Sequence, residues 1–302
     1  MAKIGTRLMR VSVFLLGLLR ELRPKQWMKN VLVFAAPVAA GVFNEGGTEL
    51  RAIGAFGCFC AAASATYVIN DVFDVESDRR HPVKRNRPIA AGIIGVPIAI
   101  FIAIVLLAVA IGGAFAIRRD FGYTILAYLA LTTVYSIWLK HMPIVDIVAV
   151  AAGFVLRAIG GATATGLPIS EWFFTVTSFG ALFMVAGKRA GELSELSDDA
   201  QSIRPVLAAY TPNFLNYLRA VFSAGVIVTY CLWAFSSASE AASGGVLFQL
   251  SIIPFAVAIL RYALLLEQGK GAEPENLVLS DITLLVSGAA WAIIYACAVY
   301  AS

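Results

Sequence analysis

Nine long apolar runs, at about residues 27–43, 52–69, 93–117, 121–139, 143–164, 171–187, 214–236, 246–266 and 279–300, leave this chain few ways to fold. A helix that crosses the hydrocarbon of a bilayer needs about 20 mostly apolar residues, and these runs are of that order. Several contain Gly, Pro or Ser, which membrane helices tolerate and use for close packing. Charged residues make up 14% of the 302 positions, against about a quarter in a water-soluble domain. A soluble enzyme, a secreted disulfide scaffold and a disordered tail are thereby excluded. The expectation is an all-α, polytopic membrane protein with nine transmembrane helices.

A shorter segment, Met9 to Leu22, repeats Val11, Phe14, Leu15, Leu18 and Leu22 at helical spacing. No small-residue cleavage site follows; Arg23-Pro24-Lys25-Gln26-Trp27 does. The segment reads as an uncleaved amphipathic helix lying on the membrane surface. The expected organisation is an interfacial segment over 1–25 and a transmembrane domain over 26–302. The N-terminal arm carries seven of the 23 Lys and Arg residues, whereas the loops after odd-numbered spans hold Arg51, Arg118 and Arg119. By the positive-inside rule the N-terminus and the loops after even-numbered spans are cytoplasmic, at the inner (plasma) membrane, and nine spans put the C-terminus outside.

The four cysteines, Cys58, Cys60, Cys231 and Cys297, lie within apolar runs without zinc or disulfide spacing and read as packing residues. His81 and His141 sit beside basic residues at loop edges, so histidine-based chemistry is not expected.

The chemistry is concentrated after the second run, at Asn70-Asp71-Val72-Phe73-Asp74-Val75-Glu76-Ser77-Asp78. If the helix continues, Asn70, Asp74 and Asp78 stand at i, i+4 and i+8, and Asp71, Asp74 and Asp78 form an overlapping stripe. Hard oxygen ligands at a membrane–water boundary suit Mg²⁺, which keeps some waters and takes remaining ligands from phosphate. Basic residues just downstream, Arg85 and Arg87 among them, suit the same anion. A solvated helix end is the plainer alternative. The order Asn-Asp-x-x-Asp-x-x-x-Asp, followed by Arg-x-Arg-Pro-x-x-x-Gly from Arg85 to Gly92, favours the metal–diphosphate site.

This pattern resembles the first aspartate-rich motif of the UbiA superfamily of intramembrane prenyltransferases, and the resemblance extends over essentially the whole chain. It implies nine helices around a central cavity with cytoplasmic cap loops, and Mg²⁺-dependent transfer on a diphosphate substrate. Members of the superfamily carry a second Asp-x-x-x-Asp after the sixth span. This chain has Gly187-Lys188-Arg189-Ala190-Gly191-Glu192-Leu193-Ser194-Glu195 there, with Asp198-Asp199 further on. That position is suited to an anion held directly by Lys188 and Arg189. With Tyr135-Ser-Ile-Trp-Leu-Lys140 and Arg23-Pro-Lys-Gln-Trp-Met-Lys-Asn30, the motif resembles the decaprenyl-phosphate phosphoribosyltransferase branch. The resemblance implies phosphoribosyl pyrophosphate as donor and decaprenyl (polyprenyl) phosphate as acceptor, with the product feeding cell-wall arabinan synthesis.

On this reading Asp74 and Asp78 are catalytic, with Asn70, Asp74 and Asp78 holding Mg²⁺ and Asp71 an alternate ligand. Arg85, Arg87, Lys188 and Arg189 hold the substrate phosphates. Arg157, near the middle of the fifth run, is answered by a substrate phosphate or carboxylate, or else by a structural hydrogen-bond network. Lys29 and Asn30 are substrate contacts, or snorkelling and capping residues. Lys140 contacts substrate or pairs with Asp146 at a helix end, and Tyr135 lines the active cavity or lies at the interface. The lipid bilayer is the remaining partner, a second copy of the chain is left open, and nucleic acid has no supporting element. The rival readings are a prenyltransferase joining a polyprenyl diphosphate to a quinone or haem precursor, and a lipid transporter or scaffold.

Overall fold

A computed structural model describes residues 2–195, 205–241, 243–268, 277 and 280–301. Asp198, Asp199 and most of the loop from Glu267 to Asn276 lie outside the described residues. Every regular element among the described residues is helical: α1 (Ala2–Leu22), α2 (Pro24–Trp27), a 3₁₀ segment (Met28–Phe34), α3 (Ala35–Ala39), α4 (Thr48–Phe73), α5 (Val75–Arg80) and α6 (Val96–Ile117). Then follow α7 (Arg119–Ile137), α8 (Val145–Thr165), α9 (Glu171–Glu195), α10 (Pro212–Glu240), α11 (Gly245–Leu250), α12 (Ile252–Glu267) and α13 (Ile282–Ala301).

Among the described residues six stretches are long and apolar enough to cross a membrane: Thr48–Phe73, Val96–Ile117, Val145–Thr165, Pro212–Glu240, Gly245–Glu267 and Ile282–Tyr300. The runs expected at 121–139 and 171–187 form α7 and α9, of 19 and 25 residues, which fall short in apolar content because of their Thr, Ser, Tyr and charged positions. The first run is not one α-helix. It is broken into α2, the 3₁₀ segment and α3.

Packing within α6 is the reverse of that of a water-soluble helix. Ala99, Ala103, Ala110 and Ala114 are buried, while Phe101 and Ile104 stand 66% and 58% exposed. Small residues let helix backbones approach closely, and large apolar ones face lipid at no cost. The alanines of α6 pack against the alanine-rich α4, where Ala52, Ala55, Ala62 and Ala65 are fully buried.

Helix starts follow local chemistry. Thr211 caps α10 by accepting from Phe214 N–H at 3.2 Å, with Pro212 as its first residue. Asp281 caps α13 by accepting from Leu284 N–H at 3.0 Å and pairs with Arg261 at 2.7 Å.

The chain forms two compact units. The first comprises Met1–Pro37, Glu45–Ser136 and Leu156–Leu167; the second comprises Val38–Asn44, Ile137–Val155 and Pro168–Ser302. In the first unit α1 presents Val13, Leu15, Leu16 and Leu19 outward. Its other face is not bare to the membrane surface: Phe14 and Leu18 pack on Ile89, Ile94 and Val68, which ties α1 to the acidic loop.

Candidate active site

The acidic motif of the first unit keeps its helical register across the boundary between α4 and α5. Asp74 departs from helical geometry, yet its N–H donates to Asn70 O at 2.9 Å and its own carbonyl accepts from Asp78 N–H at 2.8 Å. Asn70, Asp74 and Asp78 therefore follow one another at successive turns, as their spacing predicts. Their environments differ. Asp74 is exposed and makes no ion pair among the described residues, Asn70 is half-buried and Asp78 is buried.

Two arginines organise this motif. Arg87 Nη1 donates to Asp78 Oδ2 at 2.7 Å and to Asp71 Oδ1 at 2.9 Å. Arg23 Nη2 donates to Asp71 Oδ2 at 2.5 Å, and its guanidinium lies 4.6 Å from the centre of the Tyr67 ring. Asp71, expected as an alternate metal ligand, thus has both oxygens engaged by guanidinium groups. It anchors the two arginines. Arg23 adopts a left-handed backbone conformation, φ 52°, at the corner between α1 and α2, an unfavourable geometry for a non-glycine residue. The corner is held by Trp27 Nε1 donating to Ser64 Oγ at 3.0 Å and by Ser64 Oγ donating to Leu22 O at 2.8 Å.

Glu21 completes the cluster, although no motif spacing marks it. Its carboxyl is buried with no donor for either oxygen. Burial, followed by the adjacent Asp71 carboxylate, pushes its pKa up to about 8, so Glu21 carries its proton at neutral pH.

Arg157 in α8 is answered by a network. Its Nε donates to Asn30 Oδ1 at 2.7 Å and its Nη2 to Tyr128 Oη at 2.8 Å. Asn30 is fully buried and also donates to Cys60 Sγ at 3.3 Å. Both ends of the Asn30 side-chain amide are thus engaged within the protein. Lys29 is half-buried and donates to Gln26 Oε1 at 2.6 Å. Arg85 is exposed on the 3₁₀ turn Lys84–Asn86, and Tyr135 is half-buried near the end of α7. His81 shapes the turn that follows it, its Nδ1 accepting from the N–H groups of Val83 and Lys84 at 3.2 and 3.3 Å.

The second unit carries the basic motif, on α9. Lys188 is 39% exposed, with Glu192 Oε1 at 4.0 Å. Arg189 is 2% exposed; its Nε donates to Asp146 Oδ2 at 2.9 Å and its Nη1 to Glu192 Oε2 at 2.7 Å. The two cations expected to share one role are thus placed differently, Arg189 as a buried anchor and Lys188 toward the surface. Asp146 does not pair with the half-buried Lys140. Both its oxygens are taken, one by Arg189 and the other by the Tyr210 hydroxyl. Sequence spacing could not have found these partners, because 43 and 64 positions separate them from Asp146.

The donor set left on the α4–α5 face fits a divalent cation of the Mg²⁺ kind. Asn70 Nδ2 donates to Ser136 Oγ at 3.2 Å, which leaves its amide oxygen as an acceptor. Asp74 is open, and Asp78 commits one oxygen to Arg87. Among the described residues no three His, Cys, Asp or Glu side chains stand close enough to hold an ion by themselves. Two carboxylates and an amide are an open oxygen set that phosphate and water complete, which is how Mg²⁺ is commonly bound.

Residues 31–286 match the UbiA prenyltransferase family. The chain is 42% identical to a decaprenyl-phosphate phosphoribosyltransferase of Corynebacterium glutamicum over 94% of its own length and 87% of that protein's. The corresponding figures for the protein of that name in Mycobacterium tuberculosis are 41%, 91% and 91%. The fold is similar to that of a UbiA homologue from Archaeoglobus fulgidus bound to GPP and Mg²⁺, with a TM-score of 0.70 at 20% identity, covering 94% of this chain and 99% of that one.

Proposed function

The chain belongs to the UbiA prenyltransferase family, and from that premise we propose that it transfers 5-phosphoribose from phosphoribosyl pyrophosphate to decaprenyl phosphate or a related polyprenyl phosphate. The products are pyrophosphate and decaprenylphosphoryl-5-phosphoribose. The chain is an integral membrane protein; the proposal adds nine spans in the plasma membrane, with the N-terminus and both motifs on the cytoplasmic side and the C-terminus outside.

The observation that carries this reading is the state of the second motif. At the end of α9 the carboxylates of Asp146 and Glu192 are both engaged by Arg189, and Lys188 is left toward the surface. Such a site takes a phosphate on a cation. The α4–α5 motif takes the other anion, the diphosphate, through the Mg²⁺ that Asn70, Asp74 and Asp78 would hold. Relatives that share about four-tenths of its residues over most of the chain carry the name of this activity.

When bound, Mg²⁺ neutralises the charge gathering on the departing pyrophosphate. Arg87 uses Nη1 for both aspartates, and on this reading its other guanidinium nitrogens donate to a phosphate. Arg85, exposed beside it, adds a second cation. As the bond from the anomeric carbon to the diphosphate oxygen breaks, positive charge develops on the sugar, much as in glycoside cleavage. A lipid phosphate oxygen forms the new bond to that carbon from the opposite face. It is already anionic, so no side chain has to remove a proton, and His81 is accordingly free for its structural role. Lys188 and Lys140 hold the substrate phosphate of the second site.

The test is a comparison of donors on the purified protein. Labelled phosphoribosyl pyrophosphate with decaprenyl phosphate and Mg²⁺ is expected to give a labelled lipid and pyrophosphate. A polyprenyl diphosphate with an aromatic acceptor is expected to give no product, and robust aromatic prenylation in its place overturns the assignment.

A further inference from the structure

Two features of the second unit converge on the hydroxyl of Tyr210, a residue outside every motif. The first is backbone strain. Ile144, in the loop between the 3₁₀ turn Leu139–His141 and α8, has a φ of 69°. A β-branched residue adopts the left-handed region only where its surroundings impose it. What holds it there is visible: the Ile144 N–H donates to Tyr210 Oη at 2.6 Å.

The second feature is a buried charge pair. The Tyr210 hydroxyl donates to Asp146 Oδ1, and the other oxygen of Asp146 accepts from Arg189 Nε at 2.9 Å. Asp146 is wholly buried, and Tyr210 and Arg189 nearly so. One hydroxyl therefore receives from the loop that carries Lys140 and gives to the carboxylate that fixes the α9 segment carrying Lys188. The turn bearing Lys140 also packs on the 3₁₀ turn Pro205–Ala209, which leads directly into Tyr210. Burial and the adjacent Asp146 raise the Tyr210 pKa further above its ordinary value, so the hydroxyl keeps its proton and serves as a fixed donor.

We propose that Tyr210 is a positioning residue for phosphate binding. Its hydroxyl sets the register of the Lys140 loop through Ile144 N–H, and that of Lys188 through Asp146 and Arg189, so that the two basic segments are held as one set. This rests on the reading that Lys140 and Lys188 bind a substrate phosphate. The strain at Ile144 is the cost of that register, and functional sites are where such strain persists.

Tyr210→Phe tests this with little change in packing, since the ring, stacked 6.3 Å from that of Phe214, is kept. The expected result has two parts. Hydrogen exchange of the segment 138–146 should accelerate, because Ile144 N–H has lost its acceptor. The KM of at least one phosphate-bearing substrate should rise about tenfold, as for a lost hydrogen bond to a buried charged group, with kcat changed less than threefold. Adding Ile144→Gly removes the strain and should recover at least threefold of the lost KM. Exchange unchanged from the native protein overturns the proposal. So does faster exchange with KM values unaltered, or a loss of kcat that Ile144→Gly leaves in place, since Tyr210 would then be a packing residue. If the native protein turns over only a polyprenyl diphosphate and an aromatic acceptor, the phosphoribosyl reading has failed. The same two variants are then judged on that pair, where an unchanged KM for the diphosphate overturns the positioning role as well.

Discussion

Glu21 shows how one side chain can couple the N-terminal helix to the acidic motif. Two carboxyl groups, Glu21 and Asp71, face one another, and Asp71 already accepts from Arg23 and Arg87. The pair is tolerable because Glu21 holds a proton. Its pKa is raised from 4.5 to about 8 on folding, so the folded chain binds that proton more tightly than the unfolded one. The stability that follows is fully present below about pH 4.5 and is lost as pH rises through about 8. Glu21→Gln keeps the shape and cannot ionise. The melting midpoint of the native protein in detergent, without divalent cations, is expected to fall more between pH 6 and pH 9 than that of the variant; equal falls would remove Glu21 from this role. The residue lies outside every motif legible in the sequence, because a lone glutamate near the end of an amphipathic helix is ordinarily solvated. Asp74 and Asp78, in contrast, were legible, since their spacing alone puts them on successive turns of one helix.

The apolar runs mark α4, α6, α8 and α10 to within four residues of their observed bounds, and they mark the first run as a single helix, which it is not. The reason lies in what the run packs against. Residues three apart eclipse one another in a 3₁₀ helix, and in Met28–Phe34 this brings Asn30 and Val33 to one side, with Ala36 following three further on. All three are buried. An α-helical winding would turn Asn30 and Val33 about 60° apart around the axis. Val33 meets α8 at Gly161, where a Cβ would lie 1.8 Å from the Val33 carbonyl oxygen; at the preceding Gly160 a Cβ would lie 2.4 Å from the Phe59 ring. The obstacle at Gly161 is backbone and cannot swing aside. Gly161→Ala should therefore cost about 1–3 kcal/mol or more through overpacking, read as a lower melting midpoint, and should displace Asn30 from Arg157. An unchanged midpoint would mean that the 3₁₀ segment is freer than its contacts indicate. Nothing in a one-dimensional hydropathy pattern records that a carbonyl 128 positions away in sequence occupies the space of a methyl group.

At the scale of the whole molecule, each of the two units carries one charged motif, and the two answer their charges oppositely. In the first, guanidinium groups from Arg23 and Arg87 hold the carboxylates, and Asp74 remains open. In the second, carboxylates from Asp146 and Glu192 hold a guanidinium, and Lys188 is left toward the surface. The acidic motif and the basic one were both visible as sequence, but the split between Lys188 and Arg189 was not, because it depends on a partner 43 positions from Arg189. That split changes what each substitution should do. Arg189→Ala strands a wholly buried Asp146, and losing one member of a buried ion pair costs about 3–5 kcal/mol, so its first effect should be on folding. Lys188→Ala should leave the protein folded and lower kcat/KM by about tenfold to a hundredfold, the size of one lost charge-assisted contact to phosphate. Asp74→Ala should lower it by about a hundredfold or more, as for loss of a group that stabilises developing charge. A Mg²⁺ titration separates the two units. Asp74→Glu keeps a ligand and should recover in part as Mg²⁺ is raised, whereas Lys188→Ala should not, since the carboxylates of Asp146 and Glu192 are already engaged by Arg189. Full recovery of Lys188→Ala at high Mg²⁺ would instead make both motifs metal sites, and the division of the two anions between a metal and a lysine would be lost.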